Sequence, residues 1–244
     1  MCDTCGCGLP SNGQTDNEHH HHHDEDAKVR EIRVQQDVMA KNNAYADQNR
    51  KYLKDRDASA INMISSPGSG KTSLLTATLL RLKGDGPMAV VEGDLQTDND
   101  AERIRKTGVP VHQINTENAC HLDAHMVGHA YQHLDLRESS LVFIENVGNL
   151  VCPASFDLGE EATVVLLSVT EGDDKPAKYP VAFHNAEAMV ITKTDLLPHV
   201  DFSLDKCSKL AKAVNPDLVV FALSSKSGDG MDEWCEWIRR RWKR

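Results

Sequence analysis

The stretch SSPGSGKTS at 65–73 gathers residue types that hold a nucleotide phosphate. Gly68 and Gly70 let main-chain amides approach an anion, Lys71 supplies charge for the outer phosphates, and Thr72 supplies a hydroxyl for Mg²⁺, with Ser69 and Ser73 beside them. Ser65 stands where the strict eight-residue pattern has its first glycine. Two acidic segments fit the metal side of such a site. ENVG sets Glu145 three residues before Gly148, a D-x-x-G arrangement with Glu for Asp, and EGD offers Asp94, with Asp100 further on. Mg²⁺ needs only one or two protein carboxylates, so Asp94 and Glu145 are the expected contacts, direct or through water. Asp100 reads equally as a charge complementing a helix N-terminus.

The base is addressed by TKTD. Asp195 can accept from the ring N–H and the exocyclic amine of guanine, an edge adenine lacks, while the stem of Lys193 can cover the purine face. The SSK triplet after the last apolar run adds Ser225 and Lys226 as a second base-contacting loop. Together these residues predict GTP or GDP as the ligand.

A second chemistry is written in thiols and imidazoles. Cys120 and His121 are adjacent, and Cys152 follows the ENVG segment. Such ligands suit Zn²⁺ or Ni²⁺, and three leave a fourth position open. His125 and His129 continue from His121 at i+4 and i+8, a stripe on one helix face that extends the candidate set. From residue type alone, isolated Cys residues read as readily as buried small hydrophobes, and helix-face His residues as solvated ones. At the tip, MCDTCGCG places Cys2, Cys5 and Cys7 within six positions, with Gly6 and Gly8 permitting a tight wrap. Three thiolates and a terminal amine can make a square-planar Ni²⁺ site, with tetrahedral Zn²⁺ as competitor. No βαβ pattern surrounds Cys2 and Cys5, which argues against a thioredoxin-like pair. His19, His20, His21, His22 and His23 form a tract inside the chain, flanked by acids, whose composition suits metal buffering.

These residues must be positioned by elements, and the apolar runs supply them. AINMIS, MAVVE, VHQI, SLVFIE, TVVLLSV, AMVIT and LVVFAL are short continuous runs separated by helix-length amphipathic stretches. That pattern predicts an α/β fold, a P-loop NTPase G domain whose mostly parallel sheet is covered by helices on both faces. Residues 1–26 read as a flexible Cys/His-rich metal-binding tail, 27–57 as a helical lead-in of one or two helices with Tyr45 and Tyr52 packed inward, and 58–244 as the G domain. The ending DGMDEWCEWIRRRWKR predicts a terminal helix docked through Met231, Trp234 and Ile238. With 27 basic against 37 acidic residues, the formal charge of -10 argues against nucleic-acid binding. Seven scattered cysteines do not form a secreted disulfide framework, and no run approaches a membrane span or a signal peptide. A cytoplasmic protein is expected.

SSPGSGKTS, EGD, CHLDAHMV, ENVGNLVCP, SVTEGDDKPAKYP and TKTD occur in this order, and together they resemble the HypB family of hydrogenase nickel-incorporation proteins. These are nickel-handling GTPases of the class that includes the urease accessory G protein. The resemblance covers about Ala27 to the C-terminus, and the tip is similar to a nickel motif of some members. It implies GTP hydrolysis linked to nickel delivery into the large subunit of nickel-iron hydrogenase, a nucleotide-promoted homodimer, other nickel-insertion proteins as partners, and a metal site at Cys120, His121 and Cys152. TENA before Cys120 departs from the more glycine-rich run common there. No arginine finger is evident, so slow intrinsic turnover is expected. Three other readings share some of these residues: a P-loop kinase, which has no use for TKTD; a nickel store, which needs no hydrolysis; and a urease-type accessory GTPase, which would not be expected to carry the Cys tip.

Overall fold

The computed structural model describes residues 19–93, 98–116 and 119–242, with side chains from Gln36 onward, those of 98–100 excepted. The chain divides into two units, 1–39 and 40–244. In the first, the described residues are helical from His19 onward, so the His19–His23 tract lies within the first element, α1 (His19–Lys54). Cys2, Cys5 and Cys7 lie outside the described residues, as does Asp94. The lead-in is a single helix.

In the unit 40–244, all seven apolar runs become strands: β1 (Ser59–Ser65), β2 (Met88–Glu92), β3 (Val111–Gln113), β4 (Leu141–Gly148), β5 (Ala162–Ser168), β6 (Ala188–Thr192) and β7 (Val219–Ala222). They form one sheet in the order β3-β2-β4-β1-β5-β6-β7, every neighbouring pair parallel. Strands buried on both faces need no polar alternation, which is why the runs are continuous. The order reverses around β1, so the carboxyl ends of β1, β4 and β5 frame the crevice where such sheets hold ligands.

Between the strands lie α2 (Lys71–Arg81), α3 (Asp98–Arg105), α4 (Ala124–His133), the short α5 (Lys175–Lys178) and α6 (Pro180–His184), α7 (Leu204–Val214) and the terminal α8 (Met231–Trp242). On one face, Leu74, Leu75 and Leu79 of α2 pack with Ile61, Phe143 and the α8 residues Met231, Trp234 and Ile238. The predicted docking of the last helix is thus realised. Trp234 fixes it further by donating its indole N–H to Thr78 Oγ1 at 2.9 Å, which satisfies a buried polar group. Other helices cover the opposite face in two clusters, one around Phe183 and Met189 and one around Tyr131 and Ile144.

The last four turns of α1 bury Asn42, Ala46, Asn49 and Leu53, spaced along one stripe. Two of these are asparagines with specific work. Asn42 accepts from Ala124 N (2.9 Å) and donates to Asp157 O (2.7 Å); Asn49 donates to Ala124 O (2.7 Å) and Leu158 O (2.9 Å). Helix α1 therefore ties the start of α4 to the segment 157–158. The approach is close: a Cβ on Gly159 would lie 2.4 Å from Ala46 O, and Gly159 has φ +85°, so only glycine fits on both counts. Tyr45 and Tyr52 add ring contacts to His125 and Tyr131 of α4.

Candidate functional site

Strand β1 runs directly into the loop 66–70, and α2 begins at Lys71. Gly70, at φ +93°, supplies the left-handed turn that aims the first amides of α2 toward the loop. Lys71 and Thr72 are 9% and 8% exposed, so both functional groups are held inside the fold. Lys71 Nζ donates to Ser65 Oγ at 2.9 Å and Ser69 Oγ donates to the same oxygen at 2.6 Å. The serine that replaces the pattern's first glycine is therefore the anchor of the loop. Thr72 Oγ1 donates to Glu145 Oε1 at 2.6 Å, placing hydroxyl and carboxylate together at the helix N-terminus. Gly148 passes so close to the loop that a Cβ would lie 3.1 Å from Pro67 Cα. Ser73 accepts from Arg103 of α3 at 3.1 Å.

The TKTD segment folds over this loop from β6. Lys193, in the left-handed region at φ 61°, sends Nζ to Gly68 O at 2.7 Å, and the preceding Thr192 donates to Ser69 O at 2.6 Å. A left-handed lysine is an uncommon backbone state, held here by bonds on both sides. Asp195 Oδ1 accepts from Ser224 Oγ at 2.6 Å, and that Ser224 oxygen accepts in turn from the amides of Lys226 and Ser227. Asp195 is thus set by the loop after β7, with Ser225 and Lys226 alongside. Sequence reasoning placed Ser224 in the base-contacting SSK loop but did not foresee it as the partner of Asp195. Lys175 was also passed over: its Nζ lies 3.2 Å from Ser66 Oγ and pairs with Glu171 at 3.4 Å, bringing a further cation to the P-loop.

The second constellation forms where β3 and β4 lead out of the sheet. Cys120, His121 and Cys152 present ligand atoms all within 4.8 Å of one another, the one such group among the described residues. Cys120 Sγ lies 3.5 Å from His121 Nδ1, and the His121 ring rests on Phe156 with centroids 3.9 Å apart. Hydrogen bonding to Cys152 raises the Cys120 thiol above its ordinary range, and burial adds to that. Burial against Phe156 holds His121 low, in its neutral, lone-pair-donating form. Two thiols beside a neutral imidazole can take a divalent ion as thiolates, each thiol giving up its proton to solvent. His125 and His129 are not brought to this group. Asp123 caps α4 by accepting from Met126 N at 2.7 Å, so the helix starts at Ala124 and His121 precedes it; the stripe expected from His121 breaks there.

A buried polar chain joins the two constellations. Asn146, next to Glu145, accepts from Leu122 N at 3.1 Å and from Val147 N at 2.9 Å, and donates to Asn62 Oδ1 at 3.2 Å. Asn62 donates onward to Glu160 Oε1 (3.1 Å), whose other oxygen accepts from Leu158 N (2.8 Å). Leu122 follows His121 and Leu158 follows the Cys152 segment, so the loops of both candidate ligand groups are wired to the strand that carries Glu145. Gly93 adds a steric contact: its amide donates to Glu145 O at 2.9 Å, and a Cβ there would stand 2.7 Å from Leu122. The signal for this chain lay in the sequence as polar residues inside the apolar runs AINMIS and LVFIENV, since a buried asparagine requires partners.

Residues 59–222 match the CobW/HypB/UreG nucleotide-binding domain. The chain is 57% identical over 215 residues to the hydrogenase maturation factor HypB of Azotobacter vinelandii, covering 88% of this chain and 71% of that relative. This chain belongs to the HypB family of hydrogenase maturation factors. Its HypB relative in Escherichia coli (strain K12) is 53% identical over 209 residues, with 86% and 72% of the two chains covered. The crystal structure of HypB from Helicobacter pylori in complex with nickel has the same fold at TM-score 0.79 and 39% identity, over 83% of this chain and 95% of that one. HypB from Archaeoglobus fulgidus gives 0.78 and 38%, over 83% and 99%. The loop-and-helix geometry at 65–73 is accordingly that of a P-loop nucleotide-binding domain. Among the described residues no helix is long and apolar enough to cross a membrane.

Proposed function

We propose that this chain hydrolyses GTP and couples that hydrolysis to nickel delivery during maturation of nickel-iron hydrogenase, working in the cytoplasm as a homodimer promoted by nucleotide. The observation that carries the reading is the Leu122–Asn146 hydrogen bond, because it joins the loop of Cys120 and His121 to the residue beside Glu145. Guanine is supported by Asp195, whose carboxylate is held in place by Ser224 and suits two donors on one base edge. The donors at the phosphate end fit Mg²⁺, since Thr72 Oγ1 and Glu145 Oε1 are hard oxygens already 2.6 Å apart. When bound, Mg²⁺ offsets the charge of the β- and γ-phosphates. Lys71 transfers its hydrogen bond from Ser65 to a phosphate oxygen, and the amides of 68–72 surround the rest.

Nickel is the cargo. Two thiolates and one imidazole are soft and borderline donors suited to Ni²⁺ or Zn²⁺, and the Cys/His-rich tail at Cys2, Cys5, Cys7 and His19–His23 extends the capacity. A change at the γ-phosphate alters the load on Glu145 and Gly93, and Asn146 and Leu122 pass that change to the trio. Metal affinity then differs between nucleotide states, the condition for hydrolysis to release cargo. Nickel affinity measured with GDP and with a non-hydrolysable GTP analogue tests this: different affinities are expected, and equal ones would remove the coupling. Pull-down with and without nickel should recover the hydrogenase large subunit and companion insertion proteins.

A further inference from the structure

Helix α4 carries histidines that the Cys120–His121–Cys152 trio leaves unused. His129 and His133 are four residues apart and share a helix face, their rings edge to face with centroids 4.7 Å apart. The ring of His112, from β3, stacks on that of His133 with centroids 4.9 Å apart and an interplanar angle of 5°. Three imidazoles from a strand and a helix thus meet at the β3 edge of the sheet. Burial, then the charges of His133 and His129, hold His112 below the ordinary imidazole range. A His pair at i and i+4 is a chelating arrangement, because one turn sets both nitrogens on one side of the helix. A third nitrogen from a neighbouring element completes a three-imidazole set with room for water.

We propose that His112, His129 and His133 form a second divalent-metal site, built from imidazole alone, that takes Ni²⁺ or Zn²⁺ independently of the nucleotide. His112 is the half-buried member, anchored in β3, while His129 and His133 are exposed. Metal binding would turn the exposed pair into other staggered rotamers, bringing one nitrogen each onto an ion held by His112. The set shares no residue with the thiol trio. Neutral nitrogen donors without thiolate charge bind such ions less tightly than the trio, so the site fits a holding or exchange role on the helix that begins just after His121.

The test uses the full chain with ¹⁵N-labelled histidine, titrated with Zn²⁺ and separately with Ni²⁺, without nucleotide. We expect the ring signals of His112, His129 and His133 to respond at one shared metal level. His133→Asn should abolish the response of the other two and lower total bound Zn²⁺ by about one equivalent; because His133 is exposed, this variant keeps the fold, checked by circular dichroism. His129→Asn provides a second exposed variant with the same expected loss. Rings that titrate at separate metal levels, a responding His129–His133 pair without His112, or a response that survives His133→Asn would each overturn the three-imidazole site.

Discussion

Lys71 and Thr72 are each less than a tenth exposed and bond to groups of the central strands, whereas Cys120 is exposed, Cys152 half-buried, and both sit on loops. The P-loop end is packed into the sheet; the candidate metal trio lies on loops outside it, held by hydrogen bonds from Asn42, Asn49 and Asn146. The difference matches what each ligand requires. A nucleotide is read by fixed amides that must not move, while a metal cargo must reach its ligands and leave them. Burial gives the first, and a tethered surface gives the second.

Lys71→Ala is the largest perturbation that should separate the two ends. It removes a charged hydrogen-bond donor worth about 3 kcal/mol, so nucleotide affinity should fall by about a hundredfold or more, while nickel affinity without nucleotide stays within about twofold. Isothermal titration with each ligand checks both halves, and a parallel loss of nickel would break the separation. Cys152→Ala is the mirror image: nickel or zinc affinity of the trio should drop by about a hundredfold, with nucleotide affinity and melting temperature unchanged, since the residue contributes little to the core. Asn146→Ala attacks the wiring itself. Leaving Leu122 N and Asn62 without their partner should cost about 1–3 kcal/mol in denaturant unfolding, and the nickel-affinity difference between nucleotide states should shrink.

The thiols sharpen the contrast at smaller scale. Cys207, fully buried on α7, has its thiol pushed by burial up to about 12 from an ordinary 9.0. Its folded form therefore keeps a proton that the unfolded chain loses. The stability this contributes is complete below pH 9 and drains away as pH rises toward 12, and Cys207→Ala should flatten that part of the unfolding curve. At neutral pH, iodoacetamide should modify Cys120 and Cys152 well before Cys207 or Cys235, an order that mass spectrometry of the peptides carrying each cysteine reads directly.

How much of this was legible depends on whether meaning lay in residue type or in register. The seven strands were readable because a strand covered on both faces must be apolar throughout, and SSPGSGKTS was readable because each of its residues has a chemical reason. Cys120, His121 and Cys152 were candidates by type, but type alone fitted buried thiols and a solvated imidazole as well; the resemblance to HypB singled them out, and the fold brings their ligand atoms within 4.8 Å. Asn62, Asn146 and Ser224 were harder. Each is an ordinary polar residue whose partner is set by strand alignment, Met63 opposite Glu145 for instance, and alignment is not written in any one segment. The His121 stripe failed for a local reason: Asp123 accepts the amide of Met126 and starts the helix three residues late.

The asparagine clamp of α1 also bears on how the chain can change over time. Its first buried member is Asn42, and everything it grips lies between Ala124 and Gly159. Residues ahead of it can therefore be lengthened, shortened or recomposed without retuning the loops that carry Cys120 and Cys152. If the proposed function holds, metal capacity ahead of Asn42 and nucleotide-linked binding behind it can be adjusted separately. Trimming to Ala40 should leave the second intact, whereas trimming past Asn49 cuts both loops loose at once.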